Sequence, residues 1–298
     1  HLSGHYLRFL LHAYNEENGR FRNFMTYSRQ WTEDIGSEDS HGRAIWSLGK
    51  AVAFLQNPGH LAMSTTLFSR VLRAAEKFCS PRAIAFSLVG MNAYLDRFSG
   101  DSDVRRIREV LADRLFDLFK DNATDGWPWL DNALNYANGK LSQALLLSGQ
   151  WMQRSDMTEM GLQSLRWLLT IQTEEGHFAP IVNSGWYEKG GPKARFDQQP
   201  IESNAMIEAC VEAFNITRDK TWIDHAVMCF NWYLGHNDLN MPLYDPKTGG
   251  CRDGLMADGI NQNQGAESSL AWLLSLMTLQ KLYADEVLKQ STFPKIHS

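Results

Sequence analysis

Carboxylates beside side-chain amides recur along this chain wherever a polar loop turns into an apolar helix. In the stretch DGINQNQGAESSLAWLL (258–274), Asn261, Gln262, Asn263 and Gln264 precede Gly265 and Glu267. The plan returns at Asp39-Ser40-His41-Gly42-Arg43, at Asp131-Asn132 and at Gln198-Gln199-Pro200-Ile201-Glu202. Asp253 sits in the tight segment GGCRDGL. Neutral amides next to a carboxylate suit an uncharged polyhydroxylated ligand, because amides both donate to and accept from hydroxyls. Two carboxyl groups could also do acid/base work on such a ligand. One protonates a leaving oxygen while the other activates water or attacks carbon. Burial in an amide-lined pocket lets the acid keep its proton near neutral pH.

On this reading Glu202 and Glu267 form the favoured catalytic pair, with Asp39 and Asp253 as substrate binders or substitutes. His41, Arg43, Asp131, Tyr136, Gln199 and Gln264 would hold hydroxyls. Trp127, Trp129 and Trp186 would stack on sugar faces, with Tyr187 and Tyr244 nearby. Each residue also has a plain structural reading. Asp39 and Arg43 stand four apart, the spacing of a helix ion pair. Glu202 and Glu267 fall where carboxylates commonly face helix N-termini. His41 fits a satisfied core histidine, and Asp253 fits an Asx turn. Of the tryptophans inside helices, only Trp46 is a site candidate.

The elements that must position these groups read as ten helices and no convincing strand: about 1–17, 37–56, 60–79, 80–99, 101–120, a sixth ending near Gly149, then 156–172, a helix opening at Pro200, 220–234 and 265–288, before a tail (289–298) expected to fray. Helices two, four, six, eight and ten are apolar on nearly every face, as in AIAFSLVGMNAYL. The odd-numbered ones are striped, as in DSDVRRIREVLADRLFDLFKD. A helix apolar all round is buried all round, and a striped one lies outside. Alternating outer and inner helices make stacked hairpins, best closed as a double ring in a single domain over 1–298. The long loops 18–36, 121–131, 173–198 and 235–264 each run from an outer to an inner helix, whereas the inner-to-outer links are only a few residues. Long loops gathered on one rim usually build a site.

Composition narrows the classes. With 44% hydrophobic residues and a net charge of −5 without a basic block, the chain is an unpromising partner for nucleic acid or an anionic membrane. No apolar run approaches a membrane span. The four cysteines (Cys79, Cys210, Cys229, Cys251) lack ligand spacing. Buried free thiols in a reducing, cytoplasmic setting are expected, with no structural disulfide. His1 as first residue fits a mature form, a truncation or a fragment. Nucleotide, zinc-protease and α/β-hydrolase motifs do not occur, and neither metal nor organic cofactor is expected.

Taken together, GRFRNFM, SEDSHGRAIWSLG, GWPWLDNALNYANGKLSQALLLSG, QQPIESNAMIEAC and GCRDGL…NQNQGAESSLAWLLSL resemble a bacterial module often found behind a group-1 glycosyltransferase domain. That module is similar to the (α/α) toroids of the six-hairpin glycosidases. The resemblance covers nearly the whole chain and implies an all-α (α/α) toroid of five or six helical hairpins. It also implies a carbohydrate-active enzyme and possible fusion or association with a glycosyltransferase. Only five hairpins are visible, so either a further inner helix precedes His1 or the ring closes with five pairs. A glycoside hydrolase acting on a short oligosaccharide with inversion is the preferred expectation. The alternatives are an epimerase or lyase using His41 or Tyr136 as base, and a non-catalytic glycan-binding module.

Overall fold

The computed structural model describes residues 2–292, with side chains through Glu286. Among the described residues there are ten α-helices: α1 (Leu2–Ala13), α2 (Glu38–Phe54), α3 (Pro58–Ala75), α4 (Pro81–Arg97), α5 (Ser102–Asn122), α6 (Asn138–Met152), α7 (Ser155–Ile171), α8 (Pro200–Thr217), α9 (Thr221–Asn231) and α10 (Ala266–Thr292). A 3-10 turn, Trp232–Leu234, follows α9. The expectation of no strand is corrected in detail. Eight strands of two or three residues pair antiparallel, two by two, inside the long loops: β1 (Tyr14–Asn15) with β2 (Arg20–Phe21), β3 (Ala133–Leu134) with β6 (Tyr187–Glu188), β4 (Thr173–Glu174) with β5 (His177–Phe178), and β7 (Gly254–Met256) with β8 (Gly259–Asn261). Ladders this short carry no hydrophobic alternation, so nothing in the sequence marks them. Of the expected frayed tail, 289–292 continue α10, and 293–298 lie outside the described residues.

The loop asymmetry is present. Segments 55–57, 98–101, 153–154 and 218–220 are short, while 14–37, 123–137, 172–199 and 235–265 are long; the link 76–80, from an outer to an inner helix, is the short exception. Helix starts are local. Asn57, with Pro58 after it, and Ser80, with Pro81 after it, cap α3 and α4 through their side chains.

Contacts divide the chain into two compact units, 1–121 with 144–161 and 122–143 with 162–298. In the first, α4 buries every residue from Arg82 to Leu95. It lies so close to α2 that a Cβ on Gly49 would come 2.0 Å from the Gly90 carbonyl oxygen, so only glycine fits there. The striped α5 buries Val104, Ile107, Leu111, Leu115 and Phe119 at three- and four-residue steps. Helix α1 buries Leu7 and Ala13 but leaves Leu2 74% and Tyr6 69% exposed.

In the second unit α8 is buried continuously from Glu202 to Cys210. It meets α6 so tightly that a Cβ on Gly139 would lie 2.5 Å from the Ala205 oxygen. Helix α10 departs from its expected burial. Ala271, Trp272, Ser275 and Leu279 are buried, but Leu270, Leu273 and Met277 are 45–63% exposed. It is apolar on two faces, and within its unit α8 and α9 cover one of them. All four cysteines are free, and Cys79 is exposed where a buried thiol was expected.

Candidate functional site

Three long loops of the second unit are knitted into one layer over the starts of α6, α8 and α10. Strands β3 and β6 join 123–137 to 172–199, and the Lys189 N–H donates to the Asn132 carbonyl at 2.8 Å. Reciprocal backbone bonds between Gln198 and Leu255, 3.0 and 2.9 Å, join 172–199 to 235–265. Such pairing gives loops the rigidity that a binding site needs.

Glu202 lies in the first turn of α8, after Pro200, and is 2% exposed. One carboxylate oxygen accepts the Ala137 backbone N–H at 2.5 Å, and the other accepts the Asn138 amide at 3.5 Å. The carboxylate therefore occupies the positive end of the α6 dipole, not an open rim. Ala137 takes the left-handed conformation there (φ 49°). Asp253 has a parallel role at α10. Its Oδ1 accepts the Gly265 N–H at 2.6 Å. Glu267, one residue inside α10, is exposed.

Gln264 is engaged inside its own loop. Its oxygen accepts from Thr248 Oγ1 (2.7 Å), and its amide donates to Asp245 (3.0 Å). Arg252 also reaches Asp245 at 3.0 Å. The Lys247 backbone N–H, first among several donors, holds the Asp245 carboxyl below its usual range. Gln199 is the N-cap residue of α8 but makes no side-chain capping bond. Asp131 and Glu188, with Asn132 and Lys189, line a cavity of about 610 Å³ beside β3 and β6. Asp131 also accepts the Ala133 N–H at 2.8 Å. Tyr136 is half-buried.

The three tryptophans separate. Trp186 is 42% exposed and sits at a positive φ of 47°, presented by its turn. Trp129 is fully buried and Trp127 is 5% exposed. Trp127 packs edge-on against Trp167 (4.8 Å) and donates its indole N–H to the Asp131 carbonyl at 2.7 Å. Two of the expected stacking platforms are thus part of the wall behind the loops.

The sequence reading missed Asp238, whose side chain is fully buried and ties three segments together. Arg195 donates to its Oδ1 through Nε (2.9 Å) and Nη2 (2.8 Å), and His177 Nε2 lies 3.4 Å from the same oxygen. Gln198 donates to Oδ2, while the Gln198 oxygen accepts from the Trp232 indole at 2.7 Å. Burial alone would raise the Asp238 carboxyl, but the bonds from Gln198 and Arg195 outweigh it and hold the carboxyl below its ordinary value. Asp238 stands in FNWYLGHNDLNMP among turn-forming residues, and a local pattern cannot announce partners 40 or more positions away.

The remaining candidates belong to the first unit. Arg43 Nε donates to Asp39 Oδ2 at 2.8 Å, the helix pair that the spacing suggested. Asp39 Oδ1 is buried without a hydrogen-bond partner, so that carboxylate keeps acceptor capacity. Trp46 packs on Phe86, ring centroids 5.4 Å apart. His41 is fully buried. Its Nδ1 accepts the Phe21 N–H at 3.3 Å, and its Nε2 meets the Val71 carbonyl at 3.0 Å. Burial is the main force pushing it down to about 4, so the ring is neutral at pH 7. With both nitrogens on backbone partners, it holds the start of α2 in place and offers neither a sugar hydroxyl nor a substrate proton a partner.

Among the described residues, no group of three or more His, Cys, Asp or Glu side chains is placed to hold a metal ion. No family model and no curated protein matches the chain in sequence. Solved structures do match in fold. An inactive variant of the α-1,6-mannanase of Salegentibacter sp. HEL1_6, in complex with α-1,6-mannotetrose, aligns with TM-score 0.65 and 13% identity over 94% of this chain and 86% of that one. The cellobiose 2-epimerase of Spirochaeta thermophila DSM 6192 aligns with TM-score 0.64 and 11% identity over 93% and 79%. An unsaturated glucuronyl hydrolase specific for heparin aligns with TM-score 0.60 and 11% identity over 83% and 71%. The chain's fold is all-α, of the (α/α)-toroid class that these enzymes share.

Proposed function

We propose that the protein is a carbohydrate-active enzyme, a glycoside hydrolase that cleaves a short oligosaccharide by carboxylate acid/base catalysis. The observation that carries this reading is the knitted loop layer of the second unit. Asp131, Glu202, Asp253, Glu267 and the exposed Trp186 stand in those loops or in the first turns of the helices that follow them. The fold is also that of enzymes named for acting on mannan and on unsaturated glucuronides. In the proposed reaction, Glu202 and Glu267 serve as acid and base. The base takes a proton from water as its oxygen bonds to the anomeric carbon, the glycosidic C–O bond breaks, and the acid's proton goes to the leaving oxygen. Inversion of configuration is the outcome proposed. Asp131 is the first alternative to Glu202, because it lines open space while Glu202 is engaged at α6. Gln199, Tyr136 and Trp186 would bind hydroxyls and ring faces. Association with a glycosyltransferase and residence in a reducing compartment belong to the same proposal.

The test is a screen of oligosaccharides, beginning with α-1,6-mannooligosaccharides and uronate-containing oligosaccharides, with products read by NMR. Release of a reducing sugar of inverted anomeric configuration is expected. Glu202→Gln, Glu267→Gln and Asp131→Asn are each compared with the parent. A catalytic member should lose at least ~10²-fold in turnover, the lower end of acid–base contributions. If all three variants turn over like the parent, the assignment fails.

Epimerisation is the second reading, favoured by the fold match to a cellobiose 2-epimerase. Because His41 is closed off, Tyr136 is the base that reading would have to use. An isomerised sugar of unchanged chain length would establish it.

A further inference from the structure

We infer that the first unit carries a separate binding site for a phosphorylated small molecule, in the cavity between α3, the β1–β2 hairpin and the first turn of α2. The cavity measures about 670 Å³ and is lined by four cations, Arg20, Arg70, Arg73 and Lys77, against one carboxylate, Glu38. Its size is that of small-molecule pockets. In a chain of net charge −5, so one-sided a lining is a local feature.

The two carboxylates nearby offset only part of this charge, leaving two cations in excess. Glu38 Oε2 is engaged by the backbone N–H groups of Cys79 (2.9 Å) and Ser80 (2.7 Å). Glu16 is taken by Arg70 at 2.7 Å. Arg73 and Lys77 are exposed and make no ion pair among the described residues. Basic residues at the end of α3 suit the negative end of its dipole, which accounts locally for Arg73 and Lys77. It does not account for Arg20, which arrives from the hairpin. The Arg20 guanidinium lies over the Phe78 ring, 5.3 Å from its centroid, and donates to the Gly36 carbonyl at 2.9 Å. Its Nε is buried without a partner. Arg73 and Lys77, unpaired at the cavity beside the Arg20 guanidinium, call for an acceptor carrying negative charge.

A phosphoryl group answers that need. It brings up to two negative charges and three acceptor oxygens, and guanidinium groups bind it with paired, charge-assisted hydrogen bonds. Tyr14, half-buried in the same lining, offers ring surface to whatever the phosphate is esterified to. The site stands whether or not the glycosidase reading does.

Titration calorimetry with inorganic phosphate, a hexose 6-phosphate and the neutral hexose tests it. Both phosphates should bind, and should bind more weakly as salt is raised; the neutral hexose should give no heat that depends on this cavity. Tighter binding of the ester assigns the site to a phosphate ester, and equal binding assigns it to the free ion. The double variant Arg73→Gln/Lys77→Gln changes two exposed side chains, so it should fold like the parent and weaken either phosphate about tenfold or more. Absence of binding by both phosphates at millimolar concentration overturns the inference. So does binding that the double variant leaves unchanged.

Discussion

The Glu202 carboxylate at the start of α8 accepts the backbone N–H of Ala137, 65 positions earlier, and so closes the N-terminal end of α6. One side chain thereby serves two helices. It begins α8 and supplies α6 with the negative charge its exposed N–H groups need.

Removing that carboxylate should therefore cost stability whatever it does to turnover. Glu202→Ala leaves the Ala137 N–H buried without a partner, a loss of about 1–3 kcal/mol. Glu202→Gln keeps an acceptor oxygen and should lose less. Urea unfolding of both variants checks the order. If alanine and glutamine cost the same, the bond to Ala137 is not what stabilises the junction. A Glu202→Gln protein with parent stability and lost turnover would separate catalysis from capping.

Asp238 sets an acid limit. Its carboxyl is held below the ordinary 3.8 in the fold, so in the unfolded chain it takes up a proton sooner as pH falls. The stability it contributes is complete above the unfolded value and is lost as pH drops through the lower folded value. Unfolding free energy should thus decline below about pH 4. Asp238→Asn should lower stability at pH 7 and flatten that decline. An unaltered slope in Asp238→Asn would assign it to other carboxylates.

His41 works in the opposite part of the scale. The folded ring, at about 4 against 6.5 unfolded, stays neutral while the unfolded chain is already protonated. Stability should fall as pH is lowered from 6.5 towards 4. In an NMR titration the His41 ring signals should stay unchanged from pH 8 to about pH 5. A midpoint near 6.5 would mean that the ring is open to water and available as a ligand or base.

Trp186 and Trp127 should respond differently to truncation. Trp127→Ala removes a packed indole and should destabilise by about 3–5 kcal/mol. Trp186→Ala should stay within about 0.5 kcal/mol of the parent and weaken sugar binding roughly tenfold, as loss of an aromatic contact does. Thermal melts paired with oligosaccharide titration read both. Sugar affinity that survives Trp186→Ala would remove this residue from the site.

What the sequence alone determined here is what depends on neighbours in the chain. Helices follow from three- and four-residue apolar spacing, and their ends from Asn57-Pro58, Ser80-Pro81 and Gln199-Pro200, because capping and ring constraints act within a turn. The alternation of apolar and striped helices and the unequal loops are legible for the same reason. The Asp39–Arg43 pair is equally local and is found as the spacing suggests. Tertiary structure decided everything that depends on a partner distant in sequence. It buried Trp127 and Trp129 but presented Trp186, although all three stand in polar, glycine-containing loops. It engaged both nitrogens of His41, paired β3 with β6, and brought His177, Arg195 and Gln198 onto Asp238. It also left Leu270, Leu273 and Met277 of α10 exposed, because an apolar stripe records only what a helix can bury. Which face is covered depends on the elements beside it, and no spacing within α10 contains them.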